Sequence, residues 1–348
     1  MEDKPLEMPF LKNIGLLMTY KCQVACPHCI IEAGPDRTEE MPCSDLLDWI
    51  RQIADYRDGY IKVLSLTGGE PFFNIEVLKS VSEYGAAQGL FVSVVTNAYW
   101  ATTEREAVRL LGDLPAIRMI SISTDMYHQK FIPFARVRNA IAAAETHNIP
   151  YTIAVCTENE TDRAYQGIIK KLKQVTDEGR ILTAVTFRAG RALHKTGSNY
   201  ETLATPPKSA CAAGSSPIIF PDGRITACIG PIIDLTSDHP LVLGDLRKES
   251  LATILDCAEL NPILHAIRIW GPRRLISLAE DAGLGKELPT EYIKDSTCHA
   301  CYDLMANDRL RQFYADLKDD EEFVRKVAYG RAYYLCETAM IQSVHDRE

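Results

Sequence analysis

Met18-Thr19-Tyr20-Lys21-Cys22-Gln23-Val24-Ala25-Cys26-Pro27-His28-Cys29 decides how the rest of the chain is read. It directly follows the apolar run Ile14-Gly15-Leu16-Leu17, so three thiols spaced C-x3-C-x2-C lie in a loop at the end of a strand. Three thiolates can hold three corners of a cubane iron-sulfur cluster, leaving the fourth iron open to a ligand with an amine and a carboxylate side by side. The alternatives are part of a zinc site, which wants four closed ligands, or a ferredoxin-like cluster with a fourth cysteine nearby. The next thiol, Cys43, stands at the start of a helical pattern, and no C-x2-C partner follows in this region.

Working outward, 348 residues suffice for one large α/β domain and a smaller appendage. A net charge of -9, with no Lys/Arg run longer than a pair such as Arg273-Arg274, argues against a nucleic-acid partner. No apolar stretch is long enough to span a membrane, and Met1-Glu2-Asp3-Lys4-Pro5 is polar and acidic where a secretory signal is basic and then apolar. The expectation is a soluble cytoplasmic protein with no membrane partner. Eleven cysteines fit that compartment if they bind metal or stay reduced.

Residues 1–12 read as a lead-in, with Pro5 and Pro9 discouraging regular structure, and the first strand runs from Ile14 to Met18. Ser44 is expected to cap a helix reaching about Tyr56, with Leu46, Leu47, Ile50, Ile53 and Ala54 on one stripe. A strand over Ile61–Leu66 follows, then a helix from about Ile75 to Gln88, a strand Phe91–Val95, and a helix opened by the capping box Thr103-Glu104-Arg105-Glu106. The pattern continues with a strand Met119–Ser123, a helix Arg136–His147, a strand Tyr151–Val155, a helix Asp162–Val175 and a strand Leu182–Phe187. Strands alternating with helices call for parallel pairing and right-handed crossovers. Six strands are short of eight, so the fold class is α/β, an open partial (β/α)6 barrel with its chemistry on the C-terminal strand ends.

After the second strand comes Thr67-Gly68-Gly69-Glu70-Pro71, where adjacent glycines let the backbone approach a ligand and Glu70 can accept from an ammonium group. The cysteine spacing in the loop after the first strand, joined to Gly68-Gly69-Glu70 after the second, resembles the radical S-adenosylmethionine (radical SAM) superfamily. The resemblance implies a [4Fe-4S] cluster on Cys22, Cys26 and Cys29, with S-adenosylmethionine cleaved reductively to a 5'-deoxyadenosyl radical that takes a hydrogen atom from substrate. It also implies an electron donor such as flavodoxin or ferredoxin. Gly68, Gly69 and Glu70 match the motif that contacts the cofactor's methionyl amine, and Asn97 sits where relatives place polar side chains beside the cofactor. His28 occupies the position of an aromatic residue near the adenine, or is a spectator. Ser121, Ser123 and Asp125 share one face of the fourth strand; Ser123 and Asp125 are candidate cofactor contacts, Asp125 being equally a helix cap. Tyr127-His128 reads as an ordinary loop, with a substrate role as the alternative. Cys156, at the end of the fifth strand, either donates a hydrogen atom to substrate or is core packing. Arg188, with Arg191, either reaches the cofactor carboxylate or an anionic substrate or forms a surface salt bridge.

From Lys195 to Pro207 the periodicity fails and a linker is expected. Cys211 follows, then two short strands about Pro221-Asp222-Gly223, then Cys228, and finally Cys298-His299-Ala300-Cys301 opening a helix. These four thiols could close one site around zinc or a second [4Fe-4S] cluster. The order cysteine, hairpin, cysteine, long gap and C-x2-C resembles the twitch domain, a shortened SPASM extension of radical enzymes, which implies an auxiliary [4Fe-4S] cluster. The expected domains are 1–195, the barrel; 196–310, the auxiliary-cluster domain; and 311–348, terminal helices. Residues 229–297 carry helices near Leu251–Ala258 and Pro262–Ile269 and no assigned chemistry, and Cys336 is expected to be buried packing.

A closer likeness, through Asp125-Met126-Tyr127-His128 and the Asp-Gly hairpin before a cysteine, is to the peptide epimerases of ribosomal peptide biosynthesis. In that group a second cysteine follows the hairpin cysteine and returns a hydrogen atom to the substrate radical; here Ile229 follows Cys228. The expectation is therefore oxidation or bond formation on a peptide or small natural product, with the auxiliary cluster accepting an electron. Epimerisation with another thiol donor, and a non-catalytic iron-sulfur or zinc protein, are the alternatives.

Overall fold

The computed structural model describes residues 10–11, 13–194, 198–235 and 238–345. Most of the lead-in, and Lys195–Gly197 of the expected linker, lie outside the described residues. The chain divides into two compact units, one of residues 13–201 and 219–222 and the other of 202–218, 223 onward and the described Phe10 and Leu11.

In the first unit, β1 (Ile14–Leu17), β2 (Val63–Thr67), β3 (Phe91–Thr96), β4 (Ile117–Ser123), β5 (Tyr151–Thr157) and β6 (Ile181–Val185) pair in sequence order, all parallel. Between them run α1 (Cys43–Asp55), α2 (Ile75–Ala87), α3 (Glu104–Gly112), α4 (Phe134–Thr146) and α5 (Arg163–Leu172). The six strands do not close, because β1 and β6 are not neighbours.

Alternation along the strands sorts the side chains. Leu64, Leu66, Val92, Val94, Ile120, Ile122, Ile153 and Val155 are buried. A Cβ on Gly85 of α2 would touch Leu64, Val92 and Ile50 of α1, which places this set under the helices. The intervening residues, among them Ser65, Ser93, Ser121, Ser123, Thr152 and Cys156, are only half-buried and line the opposite face. Small polar side chains on the face away from the helices leave room for a polar ligand.

Asn74, Thr103 and Asp162 cap α2, α3 and α5 with side-chain oxygens, as their residue types favour. The expected Ser44 cap is not formed. Helix α1 starts two residues earlier, after Pro42, whose fixed φ of -56° suits the position before a helix, and Ser44 donates to Asp45 instead.

In the second unit, β9 (Arg224–Thr226) pairs antiparallel with β10 (Val242–Asp245), and β7 (Thr202–Leu203) with β11 (Tyr292–Ile293). The Pro221-Asp222-Gly223 turn lies between β8 (Ile218–Ile219) and β9, with Gly223 at φ +93°. The helices are α6 (Leu251–Glu259), α7 (Pro262–Trp270), α8 (Pro272–Asp281), α9 (Thr297–Ala306), α10 (Asp308–Asp316), α11 (Glu321–Leu335) and α12 (Ala339–His345). Among the described residues no helix is long and apolar enough to cross a membrane.

A buried ion network joins α6, α7 and α11. Arg331, 0% exposed, reaches Glu259 and Glu337, while Arg268 forks onto both Glu337 oxygens at 2.6 and 2.7 Å and donates to Ser215. Buried charges persist only when paired and hydrogen-bonded. The chain turns into this network through Cys336, which ends α11 in the left-handed conformation at φ +56° and is exposed rather than buried as expected. The turn, and not the thiol, is what that position supplies.

Candidate active site at the strand ends

The cysteine loop is docked on the glycines after β2. Gly69 N–H donates to Thr19 O at 2.7 Å and Glu70 N–H to Lys21 O at 2.9 Å. A Cβ on Gly69 would lie 2.0 Å from Lys21 O, and one on Gly68, at φ +148°, 2.6 Å from Thr19 O. The glycines thus allow the loop itself, as well as any ligand, to approach. On the other side, Gly190 at φ +55° lets the chain pass Cys29 and Ile30, and Arg191 clamps the loop by donating to Cys26 O at 2.6 Å and Ala33 O at 2.8 Å.

The three thiols this clamp gathers interact electrostatically. Burial pushes the Cys22 thiol up to about 12, with Glu70 and Cys29 adding to the effect. Burial likewise raises Cys26, helped by Cys22, Asp125 and Cys29. Two N–H groups already point at sulfur: Asn97 Nδ2 donates to Cys22 Sγ at 3.4 Å, and Ala33 N–H to Cys29 Sγ at 3.3 Å.

Glu70 ties the ends of β2 and β3 together. Its carboxylate accepts from Phe72 N–H, the Thr96 hydroxyl and Asn97 N–H at 3.1, 2.8 and 2.7 Å, and the residue is 0% exposed. Burial raises its pKa to about 7 against these three donors. Three bonds leave the carboxylate with acceptor capacity to spare. Next to it, Ala98 holds a strained φ of +63°.

Beyond β4 the loop is not ordinary. Asp125 accepts from Tyr127 N–H and His128 N–H, both at 2.9 Å, so it is a cap; its Oδ2 also lies 2.9 Å from His128 Nδ1 and 3.3 Å from His28 Nε2. Burial alone would raise the Asp125 carboxyl, but the two imidazoles hold it below the usual range. His28 stacks on Tyr127 with ring centroids 4.5 Å apart and meets His128 edge-on. Donor atoms of His28, Asp125 and Cys156 lie within 4.8 Å of one another, as do those of Cys26, His28 and His128. Burial, then Asp125, pushes the Cys156 thiol up to about 12.

Residues 16–172 match the family model described as the radical SAM superfamily. These residues form a radical SAM domain. A Bacillus subtilis (strain 168) protein named for peptide biosynthesis, YydG, is 20% identical over 309 residues, spanning 87% of this chain and 95% of its own length. The solved structure of anSMEcpe with bound S-adenosylmethionine is similar in fold, with a TM-score of 0.52 at 12% identity over 89% of this chain and 99% of that one.

That domain makes this a radical SAM enzyme, with S-adenosylmethionine and a [4Fe-4S] cluster as its implied groups. The residues fit them. Three soft sulfurs converge beside two N–H donors, a donor set suited to a cubane cluster. Among the described residues His28 Nδ1 is buried without a hydrogen-bond partner, and Glu70 Oε2 keeps a lone pair free, so polar atoms remain for the organic ligand.

The structure gathers Cys22, Cys26, Cys29, His28, Gly68, Gly69, Glu70, Asn97, Asp125 and Cys156 into one contiguous group. Ser123 is half-buried on the inner face, paired with Ala154 of β5. Arg188 is exposed and interacts electrostatically with Tyr200 rather than with this group. Sequence reasoning names Tyr127, His128 and Arg191 but misses that the first two pack on His28 and that Arg191 clamps the cysteine loop. The Asp-x-Tyr-His spacing was the available signal for the first two, since an aspartate two and three residues before free N–H groups forms an Asx turn. Nothing local marks Arg191, whose partners lie more than a hundred residues away.

In the second unit, Cys211, Cys228, Cys298 and Cys301 interact electrostatically with one another. Burial, then Cys211, pushes Cys228 up to about 12 and Cys298 up to about 11; Cys301 is raised by burial and then by the other three thiols. Gly230 N–H donates to Cys228 Sγ at 3.3 Å.

Proposed function

We propose that this radical SAM enzyme modifies a residue of a peptide substrate by taking one hydrogen atom, and that a second [4Fe-4S] cluster on Cys211, Cys228, Cys298 and Cys301 accepts the next electron. The domain carrying it would be residues 196–310, with helices 311–348 following the barrel of 1–195. What carries the reading is four mutually interacting thiols in one unit of a radical SAM enzyme. The peptide substrate rests on similarity to a protein named for peptide biosynthesis along most of both chains.

When bound, the first cluster and S-adenosylmethionine supply a 5'-deoxyadenosyl radical, the first cluster being reduced by a flavodoxin- or ferredoxin-type donor. This chain's residues do the rest. Gly68, Gly69 and Glu70 meet the methionyl amine, His28, Asn97, Ser123 and Asp125 line the cofactor, and Arg188 stands at the sixth strand end for its carboxylate or an anionic substrate group. Held by Cys211, Cys228, Cys298 and Cys301, a second cluster would supply an acceptor for one electron of the substrate radical, which with loss of a proton would give a product lighter by two hydrogens. The working compartment is the cytoplasm.

One observation favours a second reading. Cys156 is half-buried at the end of β5, beside Asp125, with its thiol pushed up to about 12, so it keeps its hydrogen at neutral pH. It could return a hydrogen atom to the same substrate radical, giving epimerisation despite Ile229. Anaerobic turnover in deuterated water separates the two. A product lighter by two hydrogens and indifferent to Cys156→Ala is expected; a product of unchanged composition carrying one solvent deuterium, lost with Cys156→Ala, would establish epimerisation instead.

A further inference from the structure

A cleft of about 510 Å³ lies in the second unit between α8 and α11, lined by Trp270, Arg273, Arg274, Ser277, Phe323 and Lys326. Its volume is in the range of ligand-binding pockets. The floor is aromatic and fixed: a Cβ on Gly330 of α11 would lie 2.7 Å from the Trp270 ring, so the bare helix there is what seats the indole.

The rim is cationic, in a chain whose net charge is -9. Neither Arg273 nor Arg274 pairs with a carboxylate among the described residues, whereas Lys326 pairs with Glu322 at 2.6 Å on the exposed surface, an arrangement worth little. Helix α8 opens at Gly271 with no side-chain cap, so its positive end also faces this region. One and two turns beyond Lys326 on α11, Tyr329 and Tyr333 are 50% and 80% exposed, extending the same helix face with large amphipathic rings.

We propose that this cleft binds an acidic peptide segment, with an apolar side chain on Trp270 and Phe323, carboxylates on Arg273, Arg274 and Lys326, and flanking residues over Tyr329 and Tyr333. An isolated anion would satisfy the rim and leave the aromatic floor and the tyrosines uncovered; an apolar partner would leave two arginines unpaired. The inference rests on the peptide-substrate reading, for which this surface provides a docking site separate from the thiols and the strand ends.

The test uses the full, cluster-loaded chain and a short fluorescein-labelled peptide built of Glu, Asp and Leu, with a Lys-for-acid counterpart, followed by anisotropy. The acidic peptide is expected to bind and the lysine peptide not, with affinity falling as salt rises. Arg273→Glu combined with Arg274→Glu should weaken binding about tenfold or more, and Lys326→Glu in the same direction. Glutamine at both arginines, which removes the charge without reversing it, should weaken it less, and slow release of 5'-deoxyadenosine without peptide should be unchanged in all variants. Failure of the acidic peptide to bind, equal binding of both peptides, or unaltered affinity in the arginine variants overturns the proposal. Failure of the peptide-substrate reading would show separately, as wild-type protein that cleaves S-adenosylmethionine yet leaves every peptide offered unchanged in mass.

Discussion

Replacing Cys22, Cys26 and Cys29 together by alanine is expected to lower 5'-deoxyadenosine formation by at least about a thousandfold while leaving the chain folded. The loop that carries them is held by backbone bonds to Gly34, Gly69 and Glu70 and by Arg191, none of which uses a sulfur. Removing the sulfurs therefore deletes this ligand set without unfastening the loop. Iron and sulfide per chain should fall by the content of one [4Fe-4S] cluster. Cys43→Ala, at the exposed start of α1, should change neither quantity. Activity surviving in the triple variant would assign the radical chemistry to some other site.

Gly69→Ala is expected to be nearly as damaging, through the backbone. The added methyl would lie 2.0 Å from Lys21 O and 2.6 Å from its carbonyl carbon, and both neighbours are main chain that cannot rotate away. Either β2 or the cysteine loop must shift, breaking the 2.7 Å bond from Gly69 to Thr19 and the 2.9 Å bond from Glu70 to Lys21. The cost should be about 3 kcal/mol of stability, read from denaturant unfolding, together with loss of cluster loading. Gly167→Ala is the contrast. It lies inside α5 with nothing within 4 Å of the new methyl, and should be neutral or stabilise by about 0.5–1 kcal/mol. Equal behaviour of the two variants would mean that the loop is not docked on the glycines.

How much of this was legible in the sequence depended on range. The six strands and five helices of the barrel followed from local period and from short apolar runs: each helix buries one stripe, β2 to β5 largely alternate buried and less buried positions, and β1 is buried throughout. Thr103 and Asp162 cap helices as their residue types suggest, while Ser44 does not, since Pro42 had already set the chain's direction. Gly68-Gly69-Glu70 could be recognised as a site motif, yet its glycines serve a contact with residues 19–21 that only pairing of β1 and β2 creates. His28 was read alone and is found among Tyr127, His128 and Asp125, a grouping set by the fold rather than by any local pattern. The network of Arg268, Arg331, Glu259 and Glu337 likewise gathers residues from distant helices, and no periodicity announces a charge that will be buried.

The most direct test of the central claim is low-temperature EPR of the anaerobically reconstituted, dithionite-reduced protein, recorded before and after adding S-adenosylmethionine. The cluster signal that depends on Cys22, Cys26 and Cys29 should change on addition, with 5'-deoxyadenosine released as the sample warms. A signal that ignores S-adenosylmethionine, with no nucleoside released, would contradict an open iron at this strand end and the chemistry built upon it.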